Sequence, residues 1–161
     1  MTPELEHYLQ FIEDLHGQIE ALIKELPLEA INWRPLDGQD AHAINSVAVL
    51  VTHITGAEQY WIGELLGQRP VNRNRDAEFQ AVAESVPALS QRLADTGSLI
   101  RQVLTTVDPA RLEEVVQVRE HGLTLRWGVI HMIEHIALHL GHMQLTIQLW
   151  QAGVRSRGVG G

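Results

Sequence analysis

Four histidines recur on one face of a long apolar segment near the end of the chain. The stretch HMIEHIALHLGHM contains His131, His135, His139 and His142. At about 100° per residue, their side chains fall within an arc of roughly 80° on a helical wheel. Imidazole rings stacked in a core without partners would leave several nitrogens unsatisfied. The chain therefore needs a helical fold that gives this row of rings a partner.

Apolar residues at helical spacing predict four long helices, at about residues 3–26, 46–66, 86–107 and 124–152. Thr2, Asn45 or Ser46, and Ser85 are suitable N-caps for the first three helices. Pro27 ends the first helix, and Gly67 follows the second. The sequence predicts an all-α, four-helix bundle with long interhelical connections, and it leaves the up-and-down order of the helices open.

The connections between the helices show weaker patterns. Residues 27–43 form a connection with room for a short helical turn, 68–76 a loop, and 77–79 the start of another short turn. Residues 114–125 fit either a short extended excursion or an irregular loop. We expect one domain over residues 1–153, followed by a glycine-rich, disordered tail at 154–161.

Charge and composition argue against several functional classes. The net charge is −8, with 12 Lys and Arg against 20 Asp and Glu, so the surface would repel nucleic acid. The absence of cysteine excludes disulfides, thiolate metal sites and a cysteine nucleophile. No run reaches about 18 uninterrupted apolar residues, so we expect no membrane span. The acidic N-terminus is unlike a signal peptide, and we expect a cytoplasmic protein.

The histidine spacing predicts a metal site. Residues at i and i+4 put two imidazoles one helical turn apart, close enough to chelate one ion. Both His131 with His135 and His135 with His139 satisfy this spacing. A third ligand must come from another helix, and His53 lies among apolar neighbours on the second one. The spacing alone leaves the choice between the two pairs open.

Three stretches of the chain resemble the DinB-like family, a superfamily of metal-binding four-helix bundles that includes bacterial thiol-dependent transferases. They are NSVAVLVTHITGAEQYWIGELLG, RNRDAEF and HIALHLGHM, and the resemblance runs from about residue 5 to residue 152. It implies that His53, His135 and His139 bind one divalent ion. It places His142 where the family often has Gln, and it leaves the role of His131 open.

Three neutral ligands leave a metal with its full charge and at least one open position, which is typical of catalytic sites. Zn²⁺ or Ni²⁺ suits this ligand set, and Fe²⁺ also accepts imidazole. The resemblance implies a low-molecular-weight thiol as cosubstrate, which would attack an electrophile. Two alternatives are hydrolysis by a metal-bound hydroxide and a non-catalytic, metal-binding stress-response bundle.

Further expectations concern the surroundings of this site. Candidate pocket residues are Tyr60, Trp61, Glu64, Trp127, His131 and His142. His7 and His16 fall outside or beside the apolar stripe of the first helix, so we predict that both are surface residues. The fourth helix is apolar on most sides, and the DinB-like resemblance also implies frequent homodimerisation, so we expect a homodimer.

Overall fold

The structure, a computed structural model, describes residues 1–37, 44–153 and 157–158. Four long helices form the bundle: α1 (Pro3–Ile23), α3 (Val47–Glu58) with a π-helical continuation (Gln59–Leu66), α5 (Val86–Thr106) and α6 (Leu125–Gln151). The shorter elements are α2 (Leu28–Asn32), α4 (Arg75–Glu78), a 3₁₀ turn (Pro109–Glu113) and the strands β1 (Leu36–Asp37), β2 (Val115–Val118), β3 (His121–Thr124) and β4 (Arg157–Gly158). Within the described ranges, no helix is both long enough and apolar enough to cross a membrane.

Each long helix begins at a hydroxyl side chain. Thr2, Ser46, Ser85 and Thr124 each accept a hydrogen bond from the backbone N–H three residues later, at 3.1–3.3 Å. These bonds satisfy donors that the first helical turn leaves without a partner. The predicted helix starts are therefore confirmed. The first helix ends at Ile23, three residues before the predicted end.

The contacts between the long helices show which of them are neighbours in the bundle. Both α1 and α3 pack against α5 and α6, so α1 and α3 lie across the bundle from each other. Fully buried residues such as Leu5, Ile54, Ile100 and Ile136 fill the space between the four helices. The arrangement confirms an all-α four-helix bundle and brings α3 and α6 side by side.

The second long helix changes from α to π winding at Gln59. The N–H of Gly67 donates to the carbonyl of Ile62 at 2.9 Å, five residues back. Arg111 donates to the carbonyl of Leu65 at 3.3 Å and to that of the next residue. The predicted helix to about residue 66 is present, but the sequence did not predict this change of winding, because the apolar pattern does not reveal which carbonyl each N–H chooses. A π ladder turns less per residue, so residues beyond Gln59 lie on other faces than an α-helical wheel assigns.

Residues 114–125 contain a hairpin rather than an irregular loop. Strands β2 and β3 pair antiparallel, with Val115 opposite Thr124 and Val118 opposite His121. The extended alternative is therefore the correct one, and the hairpin leads directly into α6. The tail prediction falls on residues that lie outside the described part of the chain, apart from 157–158, which pair in parallel with β1.

The prediction that His16 is a surface residue was wrong. His16 is 9% exposed, and its Nε2 lies 2.8 Å from Oε1 of Glu58, which is fully buried on α3. Room for the ring comes from Gly97 on α5, where an added Cβ would lie 3.2 Å from Nδ1 of His16. A buried imidazole beside a carboxylate is well partnered, which an apolar-stripe argument does not anticipate. His7 is exposed, as predicted.

Candidate metal centre

Three histidines from neighbouring helices converge on one point. His53 lies on α3, and His135 and His139 lie one turn apart on α6. Nε2 of His135 lies 3.2 Å from Nε2 of His53 and 3.2 Å from Nε2 of His139. One ligand atom from each of the three residues lies within 4.8 Å of the other two. The structure thus brings together the histidines that the resemblance singled out, and the group could hold a divalent ion.

The nitrogen contacts fit a shared metal better than a hydrogen-bond network. Nε2 of His135 carries at most one hydrogen in a neutral ring, and one hydrogen cannot satisfy both 3.2 Å contacts. Zinc-bound imidazoles have Zn–N distances of about 2.0–2.1 Å, so tetrahedral ligands lie roughly 3.3 Å apart. The two observed separations agree with that value, so the donor set fits a divalent transition metal.

The environment keeps these rings neutral. Burial lowers the pKa of His135 to about 3, and the repulsion that protonated His139 and His53 rings would exert adds to this effect. Burial also lowers the pKa of His139 to about 4, with His53 and His142 contributing. A metal binds only the unprotonated nitrogen. Both rings therefore have a lone pair available at neutral pH.

Glu78 is a site residue that the sequence analysis missed. Its Oε2 accepts a hydrogen bond from Nδ1 of His53 at 2.9 Å. Arg73 donates to both carboxylate oxygens, through Nε to Oε1 at 2.7 Å and through Nη2 to Oε2 at 3.0 Å. Burial raises the pKa of Glu78, but Arg73 and His53 outweigh it, so the pKa lies below its ordinary value. An ionised Glu78 fixes the proton of His53 on Nδ1 and leaves Nε2 free to bind a metal.

The position of Glu78 depends on a glycine of α3. A Cβ added at Gly56 would lie 2.2 Å from Oε1 of Glu78, so only glycine leaves room for the carboxylate. The ring of Phe79, the next residue, lies 4.9 Å from the ring of His53. The stretch RNRDAEF was already part of the resemblance, and it was the one sequence signal for this contact. It could not identify the partner, because Glu78 and His53 are 25 residues apart.

The other two histidines are held differently. Nδ1 of His135 and Nδ1 of His139 are buried, and neither has a hydrogen-bond partner among the described residues. Their rings meet edge to face, with centroids 4.4 Å apart. Helical spacing and ring packing therefore position this pair, whereas a carboxylate positions His53.

Aromatic side chains flank the centre on the side of His135. The ring of His131 lies 5.7 Å from that of His135 and stacks on Trp127 at 4.7 Å. Trp61 lies 5.9 Å from His131 and 5.8 Å from Tyr60, which extends the row. Tyr60 and His131, both predicted pocket residues, thus belong to one aromatic group beside the centre.

The remaining two predicted pocket residues lie in different surroundings. The ring of His142 is exposed and lies 5.5 Å from that of His139, at the opposite end of the centre from the aromatic group. Glu64 is half-buried in the π-helical segment, and no hydrogen bond or ion pair between described residues joins it to the three histidines. Its role as a pocket residue stays a prediction.

Comparisons with known proteins agree with this architecture. Residues 7–149 match the family described as mycothiol-S-transferase. The crystal structure of a conserved protein from Enterococcus faecalis is similar in fold, with a TM-score of 0.75 over 94% of this chain and 99% of that one. Its 16% sequence identity supports the fold alone. No curated protein matches the chain. Because the family match covers most of the sequence, the chain belongs to the mycothiol S-transferase family, a DinB-like family.

Proposed function

We propose that this protein is a metal-dependent S-transferase, which joins a low-molecular-weight thiol to an electrophile. The observation that carries the proposal is the convergence of three neutral imidazoles, from His53, His135 and His139, within 4.8 Å. Membership of the mycothiol S-transferase family supports thiol chemistry. The thiol must be a cosubstrate, because the chain has no cysteine. A cytoplasmic location would supply it in reduced form.

A divalent ion held by the three histidines, most simply Zn²⁺ or Ni²⁺, would bind the thiol as a thiolate and so provide a nucleophile at neutral pH. The residues of the chain prepare this chemistry. Glu78 orients His53, and Arg73 neutralises Glu78, so the carboxylate does not become a competing ligand. Three neutral ligands keep the site positively charged, which favours an anionic thiolate.

Two further histidines flank the ligands. His131 lies beside His135, and His142 lies beside His139. Each ring places imidazole nitrogens, which can donate or accept hydrogen bonds, beside a proposed ligand. His142 is the more exposed of the two.

Elemental analysis tests the metal site directly. We expect about one transition-metal ion per purified chain, and its loss in each of His53→Ala, His135→Ala and His139→Ala. The control is His7→Ala, because His7 is exposed on α1 and should not affect metal content. Full metal occupancy in His53→Ala would refute the proposed ligand set.

An activity assay tests the transfer. The zinc-loaded and nickel-loaded protein would be mixed with mycothiol or glutathione and an uncharged electrophile such as 1-chloro-2,4-dinitrobenzene, and the S-conjugate measured by mass spectrometry. Conjugate formation that needs the metal supports the proposal. In a parallel assay with an ester such as 4-nitrophenyl acetate, hydrolysis by a protein that forms no conjugate would favour a hydrolase. A bound metal with neither activity would favour a non-catalytic metal-binding bundle.

A further inference from the structure

We propose that a cavity beside His139 binds the electrophilic acceptor, and that this acceptor is a small, uncharged, apolar compound. The inference rests on the transferase function proposed above and names the class of its second substrate. The cavity lies between the start of α3 and the second half of α6 and has a volume of about 340 Å³. His139 and His142 both form part of its wall.

The contact with His139 connects the cavity to the reaction. The ring of His139 has its Nε2 in the histidine cluster and also lines the cavity. A molecule in the cavity would therefore touch a proposed metal ligand. In the transfer, the thiolate sulfur bonds to a carbon of the acceptor, and the bond from that carbon to a leaving group breaks, as when chloride leaves 1-chloro-2,4-dinitrobenzene with the electron pair. This step requires the sulfur and the carbon to be held within contact distance. A pocket that shares a wall with the proposed metal centre places an acceptor beside that centre.

The chemistry of the wall selects an uncharged molecule. Its apolar part consists of Ile44, Leu50, Leu145 and Leu149. Asn45 and Thr146 add an amide and a hydroxyl, and none of the described residues in the wall carries a permanent charge. An ion that enters such a pocket loses its hydration without gaining a counter-charge. A neutral molecule with an apolar body avoids this cost.

The volume limits the size of the acceptor. Ligand pockets range from about 300 to 1,000 Å³, so about 340 Å³ lies at the small end. An engineered cavity of about 150 Å³ is known to hold benzene. The space beside His139 therefore suits a compound of one or two rings, or a short branched chain.

Two other cavities of the described chain fit this role less well. The larger one, about 900 Å³, lies between α1 and α5, and its wall includes Glu13, Glu20 and Arg101. Neither of these helices carries one of the three clustered histidines. A smaller polar cavity of about 200 Å³ lies behind Glu78 and is lined by Arg73. Both are charged, and neither has His139 in its wall.

Binding of an unreactive probe tests the cavity without any catalysis. Toluene is an uncharged, single-ring probe, and benzyltrimethylammonium is its charged counterpart. Both would be titrated against the zinc-loaded protein by saturation-transfer NMR. We expect saturable binding of toluene and at least about tenfold weaker binding of the cation.

Leu145 on α6 and Phe11 on α1 provide a matched pair of variants. Leu145 is 54% exposed and lines the cavity, whereas Phe11 is 59% exposed and does not line it. Leu145→Asp should weaken toluene binding by about tenfold or more, and Phe11→Asp should leave it within about twofold. Leu149→Trp, which fills the cavity without adding charge, should also abolish binding. Circular dichroism and metal content would verify that each variant is folded and loaded.

Three results would overturn the proposal: no saturable toluene binding up to its aqueous solubility, equal binding by Leu145→Asp and Phe11→Asp, or a cation that binds as tightly as toluene. The outcome separates this inference from the proposed function. Normal toluene binding without any thiol transfer would leave the cavity in place and refute the transferase. Transfer in which Leu145→Asp leaves the KM for an uncharged acceptor unchanged would refute the acceptor site alone; we expect that KM to rise and the KM for the thiol to stay constant.

Discussion

The imidazole of His53 is fixed on both sides, with Nδ1 bound to Glu78 and Nε2 turned toward His135. His139, by contrast, has no hydrogen-bond partner for its Nδ1 among the described residues. Carboxylates that accept a hydrogen bond from a metal-bound histidine set the orientation and basicity of the ring. The metal affinity of the site should therefore depend strongly on Glu78, which is not itself a proposed ligand.

The first prediction at this scale concerns Glu78→Gln. We expect the affinity for Zn²⁺ to fall by about 10- to 100-fold, because a neutral amide holds the Nδ1 proton of His53 less firmly. Competition with a fluorescent zinc chelator would measure the change. Asp76→Asn is the matched control, since Asp76 is exposed on the same short helix, α4. Equal affinities of the two variants would show that Glu78 does not position the ligand.

The second prediction concerns His16. Burial lowers the pKa of His16, but Glu58, helped by the charge of Glu13, outweighs it, so the pKa lies above the ordinary 6.5. The charged ring therefore contributes stability below about pH 6.5, and this contribution disappears as the pH rises through the raised pKa. Urea unfolding should show a larger stability difference between wild type and His16→Gln at pH 6 than at pH 9.

The control for this pH dependence is His7→Gln, because His7 lies on the same helix and is exposed. Its stability difference from the wild type should be small at both pH values. A difference for His16→Gln that does not change with pH would mean that folding leaves the pKa of His16 unchanged, which would contradict the proposed interaction with Glu58.

Residue-level prediction from sequence succeeded where contacts are local. His135 and His139 share a helical turn, so their proximity follows from spacing alone. It failed where a partner comes from a distant segment. Glu58 is 42 residues from His16, and the room for the buried ring depends on Gly97 of a third helix. The apolar pattern of one segment does not reveal contacts with side chains from distant segments.

At the level of elements, the packing of α4 against α3 depends on glycine. Gly56 lies in the interior of α3, where glycine normally weakens a helix by about 0.5–1 kcal/mol relative to alanine. Its retention is explained by the carboxylate of Glu78, which occupies the space of a side chain. Glycine at this position makes α3 less stable, but it allows α4 to pack closely enough for Glu78 to reach His53.

The third prediction compares two glycines. A Cβ at Gly17, in the interior of α1, would meet nothing within 4 Å, so Gly17→Ala should stabilise the protein by about 0.5–1 kcal/mol. Gly56→Ala should instead displace Glu78 and lower zinc affinity. Thermal unfolding and zinc competition would be measured on both variants. Unchanged zinc affinity in Gly56→Ala would contradict the proposed packing of Glu78.

The elements themselves were predictable to different degrees. Helix starts were read correctly because a cap such as Ser46 or Ser85 acts within three residues. The π-helical winding after Gln59 was not, because it depends on which carbonyl each N–H selects and on Arg111, a distant donor.

At the scale of the whole molecule, α6 presents an exposed apolar stripe. Trp127, Ile130 and Leu138 are 42–56% exposed and lie on one face of the helix, on either side of the exposed Glu134. Exposed apolar side chains grouped in this way commonly mark a protein–protein contact. The stripe supports the homodimer predicted from the sequence and indicates which helix would form its interface.

The fourth prediction is the corresponding measurement of mass. Light scattering after size-exclusion chromatography should give about twice the chain mass of 18.0 kDa for the wild type. Leu138→Asp should shift the protein toward the monomer, because it places a charge in the stripe. Phe11→Asp, at a 59% exposed position of α1, is the control. A monomeric wild type at micromolar concentration would refute the homodimer.

The pairing of α3 with α6 has a consequence for the order of events during synthesis. His53 and His135 are separated by 82 residues, and α6, the later of the two helices, supplies two of the three proposed ligands. The nascent chain could not capture an ion at this centre until α6 had left the ribosome. Metal uptake would then follow the synthesis of α6, and a bound ion would close a loop of about 82 residues.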